Sequence, residues 1–208
     1  MTLAPDAAVQ LPAERVDEVV DVIADAFFGY PLMRWVAGSD GTAQELAARE
    51  RRLVDLFVRR RIRRGGPAFG VSRGETLAAA AILTLPHEPE PPADVAEMTV
   101  ATWLDLGDDA RRRYDAYTKA ATFFEALPPH HHLNMIGVRP AHKRQGLARP
   151  LIEAVCGLAE ADPGSHGVSL TTEVAINIEL YRHFGFEVIA EAHVTPDLKT
   201  WGLFQRIG

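Results

Sequence analysis

A chain of 208 residues with 47 % hydrophobic and 24 % charged side chains can bury one sizeable core but not two ordinary ones, so a single domain over residues 1–208 is expected. The formal net charge of −6 argues against nucleic acid or an anionic membrane as the main partner, because both bind net basic surfaces. The single cysteine, Cys156, excludes an internal disulfide framework, and no leader-like start or apolar run near the ~18 residues of a membrane span is present, so a cytoplasmic monomer or homodimer is expected.

Val9 to Leu11 reads as a short first strand and Pro12-Ala13-Glu14 as a helix start. Val16, Val19, Val20, Ile23, Ala26 and Phe27 recur at helical spacing and stop before Gly29-Tyr30-Pro31. The next helix is predicted from about Thr42 to Arg64, with Leu46, Leu53, Leu56, Phe57 and Ile62 facing inward. Its end, Arg59-Arg60-Arg61-Ile62-Arg63-Arg64, reads as a solvated face whose cations suit the negative end of the helix dipole. Gly65-Gly66-Pro67 stops the helix, and Ala68 to Ser72 with Thr76 to Leu85 forms a hairpin turning at Arg73-Gly74-Glu75. The small apolar run Leu77 to Leu83 reads as a central strand covered on both faces. A proline-rich connection, His87 to Pro92, leads into a helical block from 95 to 127, broken at Gly107.

His131 to Glu160 carries the strongest signal. A strand with Met135, Ile136 and Val138 closes at Pro140, which lacks a ladder donor. A polar turn follows, and Leu147, Leu151, Ile152, Val155, Leu158 and Ala159 then recur on one helical face. Cys156 lies in this helix and reads as a small core residue. Pro150 is tolerated in the first turn, where donors have no intrahelical partner. Free amides and the positive dipole end therefore point back at the turn, a geometry for a phosphate-like anion. Beyond it, Gly167 to Thr172 reads as a strand and Ile176 to Phe186 contains a short helix, with Asn177 expected as its cap and Gly185 as its stop. Residues four apart share a helix face, pairing Asn177 with Tyr181 and placing Leu180 with Phe184 on the core. Glu187 to Val194 and Thr200 to Arg206 form a final antiparallel pair.

The turn Lys143-Arg144-Gln145-Gly146-Leu147-Ala148 resembles the pyrophosphate-binding motif of the GNAT acetyltransferase superfamily. That motif has Gln or Arg, two variable residues, Gly, one residue, then Gly or Ala. Lys143 fills the first slot, keeping the charge and losing the guanidinium fork. The run Asn177-x-x-x-Tyr181-x-x-Phe184-Gly185-Phe186 resembles a second GNAT feature. With Asp25 to Arg34, the mid-chain helical insert and Thr200-Trp201 added, the chain is similar to the puromycin N-acetyltransferase-like branch.

The resemblance implies an α/β (α+β) single-domain fold with a central, mixed, mostly antiparallel sheet flanked by helices and a helical insert before the strand that binds coenzyme A. It also implies transfer of an acetyl group from acetyl-CoA to a primary amine of a small molecule through a direct ternary complex. Backbone groups of Ile136, Gly137 and Val138 would pair with the pantetheine arm, amides of Arg144, Gln145, Gly146, Leu147 and Ala148 with Lys143 would hold the pyrophosphate, and Asn177 would face the arm. Tyr181 would be the general acid. Relatives often have an acidic residue at the place of Thr171; here the base is left between Glu173 and His132. Phe27, Tyr30, Trp35, Trp103 and Tyr117 are candidate acceptor-pocket residues, and each also reads as core packing. No metal is expected: His130, His131 and His132 are adjacent on a strand and point to alternating faces. The alternatives are acetylation of a protein or peptide amine, or an acyl-CoA-binding module without turnover. No Gly-x-x-x-x-Gly-Lys-[Ser/Thr] or Gly-x-Gly-x-x-Gly supports a nucleotide site.

Overall fold

The hairpin that turns at Gly74 starts the sheet: β2 (Ala68–Arg73) and β3 (Thr76–Thr84) are antiparallel, and β1 (Val9–Leu11) adds to the outer side of β2. In this computed structural model, which describes residues 7–207, β4 (His131–Val138), β5 (Gly167–Thr172), β6 (Glu187–Thr195) and β7 (Leu198–Arg206) complete a seven-stranded sheet in the order β1-β2-β3-β4-β5-β7-β6. Residues 1–6 and 208 of the expected domain lie outside the described residues. β4 and β5 are parallel and the other neighbours antiparallel, so the molecule is a mixed α/β single domain. β3 runs through the middle as its composition predicts. Leu77 to Leu83 are all essentially inaccessible, and small side chains let helices pack on both faces.

One face carries α1 (Val16–Phe27), α2 (Pro31–Ala37), α3 (Ala43–Arg63), α4 (Ala93–Leu106) and α5 (Asp108–Ala120), packed around Ile23, Leu53, Leu56 and Ile82. The other carries α6 (Ala148–Glu160), whose Leu151, Ile152, Val155 and Ala159 bury against Ala79, Ala81, Leu133 and Leu170. α7 (Ile176–Arg182) follows β5. Among the described residues, no helix is long and apolar enough to cross a membrane.

Several elements differ from the sequence reading. Pro31 opens α2 at its first turn and Gly38, at φ 91°, closes it, with the Gly38 amide donating to the Arg34 carbonyl. Gly29-Tyr30-Pro31 is thus a junction between helices and not merely a stop. The helical block ends at Ala120; Phe123 and Phe124 lie in the turns that follow, Phe124 against the His132 ring at 5.4 Å. Ala175, not Asn177, caps α7, and the Asn177 amide instead donates to Thr172 Oγ1 at 3.3 Å. Leu180 is 42 % exposed and not on the core. Cys156 is half-buried beside Gln205, and burial raises its thiol to about 11.

β4 carries a bulge. Ile82 faces Met135 and Leu83 faces Leu133, so Asn134 is an extra residue. The insertion reverses the alternation: Leu133 joins the α6 side, Met135 joins the α1 side, and Ile136 and Val138 return to the α6 side. Gly137 then lies under α1, where a Cβ would come within 2.6 Å of the Ala26 methyl.

Candidate active site

β4 and β5 pair over three positions, His131 with Val168, His132 with Ser169 and Leu133 with Leu170. Parallel neighbours joined by a crossover helix have no hairpin to hold them together along their length. Past Leu133 they part: Thr171 and Thr172 pair with β7, while Met135 to Val138 pair with β3. The strand edge of β4 from Asn134 onward therefore faces an opening, and a cavity of about 770 Å³ occupies it.

β4 gives the cavity its axis. From His132 to Val138 is roughly 20 Å at ~3.3 Å per residue. Lys143 and Arg144 line the wall beyond the Val138 end; Ile136, Gly137, Val138, Asn177, Leu180 and Tyr181 line its middle; Phe57, Arg60, Arg61, Tyr114 and Tyr117 join His132 at the other end. The turn after β4 is held by Arg139, which donates from Nε to the Leu77 carbonyl at 2.9 Å and pairs with Asp25. It then passes through Arg144 at φ 63° and Gly146 at φ 78° before α6 starts. Left-handed residues just ahead of a helix turn successive amides toward one point, and the helix start adds unpaired donors and its dipole. Of the expected turn residues, Gln145 and Gly146 are exposed and off the cavity wall, Leu147 is buried beneath the turn, and Ala148 opens α6. Gly146, Leu147 and Ala148 offer an anion backbone donors only, while the exposed Gln145 side chain donates to the Ala141 carbonyl at 3.5 Å.

Glu173, just past β5, sits against three hydroxyls. Thr200 Oγ1 donates to its carboxylate at 2.7 Å and the Tyr117 hydroxyl at 3.1 Å, while its own amide donates to the Tyr30 oxygen at 3.0 Å. Burial raises the carboxyl above the ordinary range despite these bonds. Burial first, then the nearby Glu173 charge, pushes the Tyr181, Tyr117 and Tyr30 phenols up, so all three stay protonated at neutral pH. His132 is the opposite case. Burial, then the Arg61 and His130 charges, depresses its imidazole to about 3, and its Nδ1 lies 2.7 Å from Ser169 Oγ.

The three candidate catalytic residues Tyr181, Glu173 and His132 thus line one cavity, as do Phe27, Tyr30 and Tyr117. Trp35 and Trp103 do not: both pack in the α1-side core, Trp103 stacking on Tyr114 at 5.1 Å. Large flat side chains bury more area between helices than on a cavity wall, so sequence could not separate the two uses. Phe57, Arg60, Arg61, Tyr114 and Asn134 were missed. Phe57 with Arg60 and Arg61, and Tyr114 with Tyr117, stand three or four apart on their helices, a shared-face signal that was available. The arginine run is not simply a solvated face: Arg60 and Arg61 line the cavity, and Arg61 and Arg64 both pair with Glu88.

A model of the acetyltransferase (GNAT) family matches residues 31–186. The chain belongs to this family. Among solved structures it is similar to an acetyltransferase from Corynebacterium glutamicum described as related to histone acetyltransferase HPA2 (15 % identity, 97 % of this chain and 96 % of that one, TM-score 0.66). It is also similar to arylalkylamine N-acetyltransferase 2 from Aedes aegypti (16 %, 97 % and 98 %, TM-score 0.61) and to the Drosophila melanogaster polyamine N acetyltransferase (14 %, 97 % and 99 %, TM-score 0.54). At these identities the likeness concerns the fold. No curated protein matches the sequence significantly. GNAT proteins use acetyl-CoA, and the residues present fit it: a strand edge with ladder groups facing the cavity at Ile136 to Val138 can take an amide chain as another strand, and the turn at Arg144 to Ala148 suits a diphosphate. Among the described residues, no group of three or more His, Cys, Asp or Glu side chains could hold a metal ion.

Proposed function

We propose that this GNAT protein transfers an acetyl group from acetyl-CoA to a primary amine of a small molecule, directly, with both substrates bound at once and the whole chain 1–208 acting as one catalytic unit. The Tyr181 phenol and the Glu173 carboxylate line one cavity with the open edge of β4, near enough that the Glu173 charge raises the phenol, and this carries the reading. Acetyl-CoA supplies the activated thioester. Backbone groups of Ile136, Gly137 and Val138 would hold the pantetheine arm, with Asn177 and Tyr181 facing it from α7, and the amides of Arg144 to Ala148 would hold the pyrophosphate, with Lys143 and Arg144 adding charge. Fixing two reactants in attack geometry can supply ~7 kcal/mol or more of the barrier.

Glu173 is the better base. A carboxyl raised above the ordinary carboxylate range by burial is a stronger base than a free one, whereas an imidazole depressed to about 3 holds a proton poorly. His132 then serves as a neutral wall residue bonded to Ser169. Tyr181, kept protonated by burial and by the Glu173 charge, is the donor to the departing thiolate. A small acceptor is supported by the far end of the cavity, where α5 and the end of α3 supply a wall of side chains. Within the family the sequence resemblance supports the puromycin N-acetyltransferase-like branch, and membership of a branch does not fix the acceptor.

A thiol-release assay across small amines and a lysine-containing peptide tests the reading. Free thiol is expected with small amines and to a lesser extent with the peptide. Preference for the peptide would move the acceptor class to proteins, and acetyl-CoA binding without thiol release for any amine would make the chain a binding module.

A further inference from the structure

The end of α3 holds five arginines within six residues. Four have carboxylate partners: Arg59 pairs with Asp17 and Asp55, Arg63 with Asp94, and Arg61 and Arg64 share Glu88. Arg60 is half-buried on the cavity wall and, among the described residues, has neither an ion pair nor a hydrogen bond. With two guanidinium groups sharing one carboxylate beside it, this end of the cavity has excess positive charge. The low basicity of His132, to which the Arg61 charge contributes, is in line with that. The excess lies beside His132, roughly 20 Å along β4 from the turn that suits a diphosphate, at ~3.3 Å per residue, so it is not part of the diphosphate cradle. Between Arg60 and Glu173 the wall is aromatic: Phe57 stacks on Tyr114 at 5.1 Å, and Tyr117 reaches Glu173.

We propose that the acceptor is an arylalkyl primary amine carrying a carboxylate at the end remote from its amino group, with Arg60 as the partner of that carboxylate. The inference rests on the acetyl-transfer reading for the amine end and adds the chemistry of the other end. A protonated amine would approach Glu173, the aryl body would lie along Phe57, Tyr114 and Tyr117, and the carboxylate would take the guanidinium fork that no protein group uses. Charge-assisted pairs of this kind are short and directional, and they weaken when Lys replaces Arg.

The test is calorimetric binding, in the presence of CoA so that no turnover occurs, of 4-(2-aminoethyl)benzoate and of phenethylamine, which lacks the carboxylate. Wild type, Arg60→Gln and Arg60→Lys are compared, with acetylation of both amines measured in parallel. The wild-type protein is expected to bind the carboxylate probe about tenfold or more tighter, a factor of ten being about 1.4 kcal/mol. Arg60→Gln should bring the ratio close to one and Arg60→Lys should retain part of it. Equal wild-type binding of the two probes, binding of neither, an equal loss of both in Arg60→Gln, or a weakened affinity for CoA itself overturns the proposal. Failure of the acetyl-transfer reading has a different signature, discriminating binding with no acetylated product.

Discussion

Replacing Tyr181 by Phe removes one oxygen and little else. The ring is 6 % exposed and packs edge-on to Phe186 at 5.8 Å, an arrangement that Phe keeps. The shift of the phenol arises from burial and the Glu173 charge, with no hydrogen bond contributing, so the change leaves no protein group without a partner. The stability change should stay within about 0.5 kcal/mol. If the phenol delivers the proton to the leaving thiolate, the loss is that of a general acid, roughly 10²–10⁴-fold in kcat, or about 3–5 kcal/mol of barrier. Acetyl-CoA affinity should hardly move, because the backbone edge of β4 and the turn before α6 are unaltered. Thiol release at saturating acetyl-CoA, calorimetric acetyl-CoA binding and a thermal melt measure the three quantities. A kcat within about threefold of wild type would remove Tyr181 from the acid role.

Glu173→Gln should abolish the ascending limb of the pH–rate profile, which in wild type lies above the ordinary carboxylate range because burial raises this group; a limb that persists in the variant assigns the base elsewhere. The same shift has a stability sign. The folded state holds its proton more tightly than the unfolded chain, so stability is fully present below the ordinary carboxyl value and falls as pH rises through the raised one. Urea midpoints across that window should decline in wild type and stay flatter in Glu173→Gln. Gly137→Ala would place a methyl 2.6 Å from the Ala26 methyl, both on backbone that cannot swing away, and should cost about 1–3 kcal/mol in urea unfolding; an unchanged midpoint would mean that α1 can back off β4 freely. Gly146→Val forces a β-branched residue to φ 78°, costing about 1–2 kcal/mol locally, and should weaken acetyl-CoA binding about tenfold by deforming the turn. Unaltered affinity would show that the turn does not hold the diphosphate.

Periodicity and punctuation alone determined most elements of this protein. The apolar stripe from Leu147 to Ala159, the stop at Pro140, the Arg73-Gly74-Glu75 hairpin and the doubly covered strand at Leu77 to Leu83 are local patterns, written where they act. So was the turn from Lys143 to Ala148, because amides converge on an anion through consecutive residues. Non-local events decided the remainder. The one-residue bulge at Asn134 swaps the faces of β4 and turns Gly137 toward α1, yet nothing in the sequence marks Asn134 as the extra residue, since a bulge is defined by the partner strand. The parting of β4 and β5, which makes the cavity, is set by where their mutual pairing stops, at Leu133 and Leu170, while β4 keeps β3 and β5 keeps β7 as its other neighbour. Trp35, Trp103 and Tyr117 look alike as aromatics on helices, and only the packing of α2, α4 and α5 put Tyr117 on the cavity wall and the tryptophans in the core. In the arginine run the sequence determined the charge and the Asp55–Arg59 pair one turn apart on α3, while Asp17, Glu88 and Asp94, brought from three other parts of the chain, decided that Arg60 alone of the five has no carboxylate partner among the described residues.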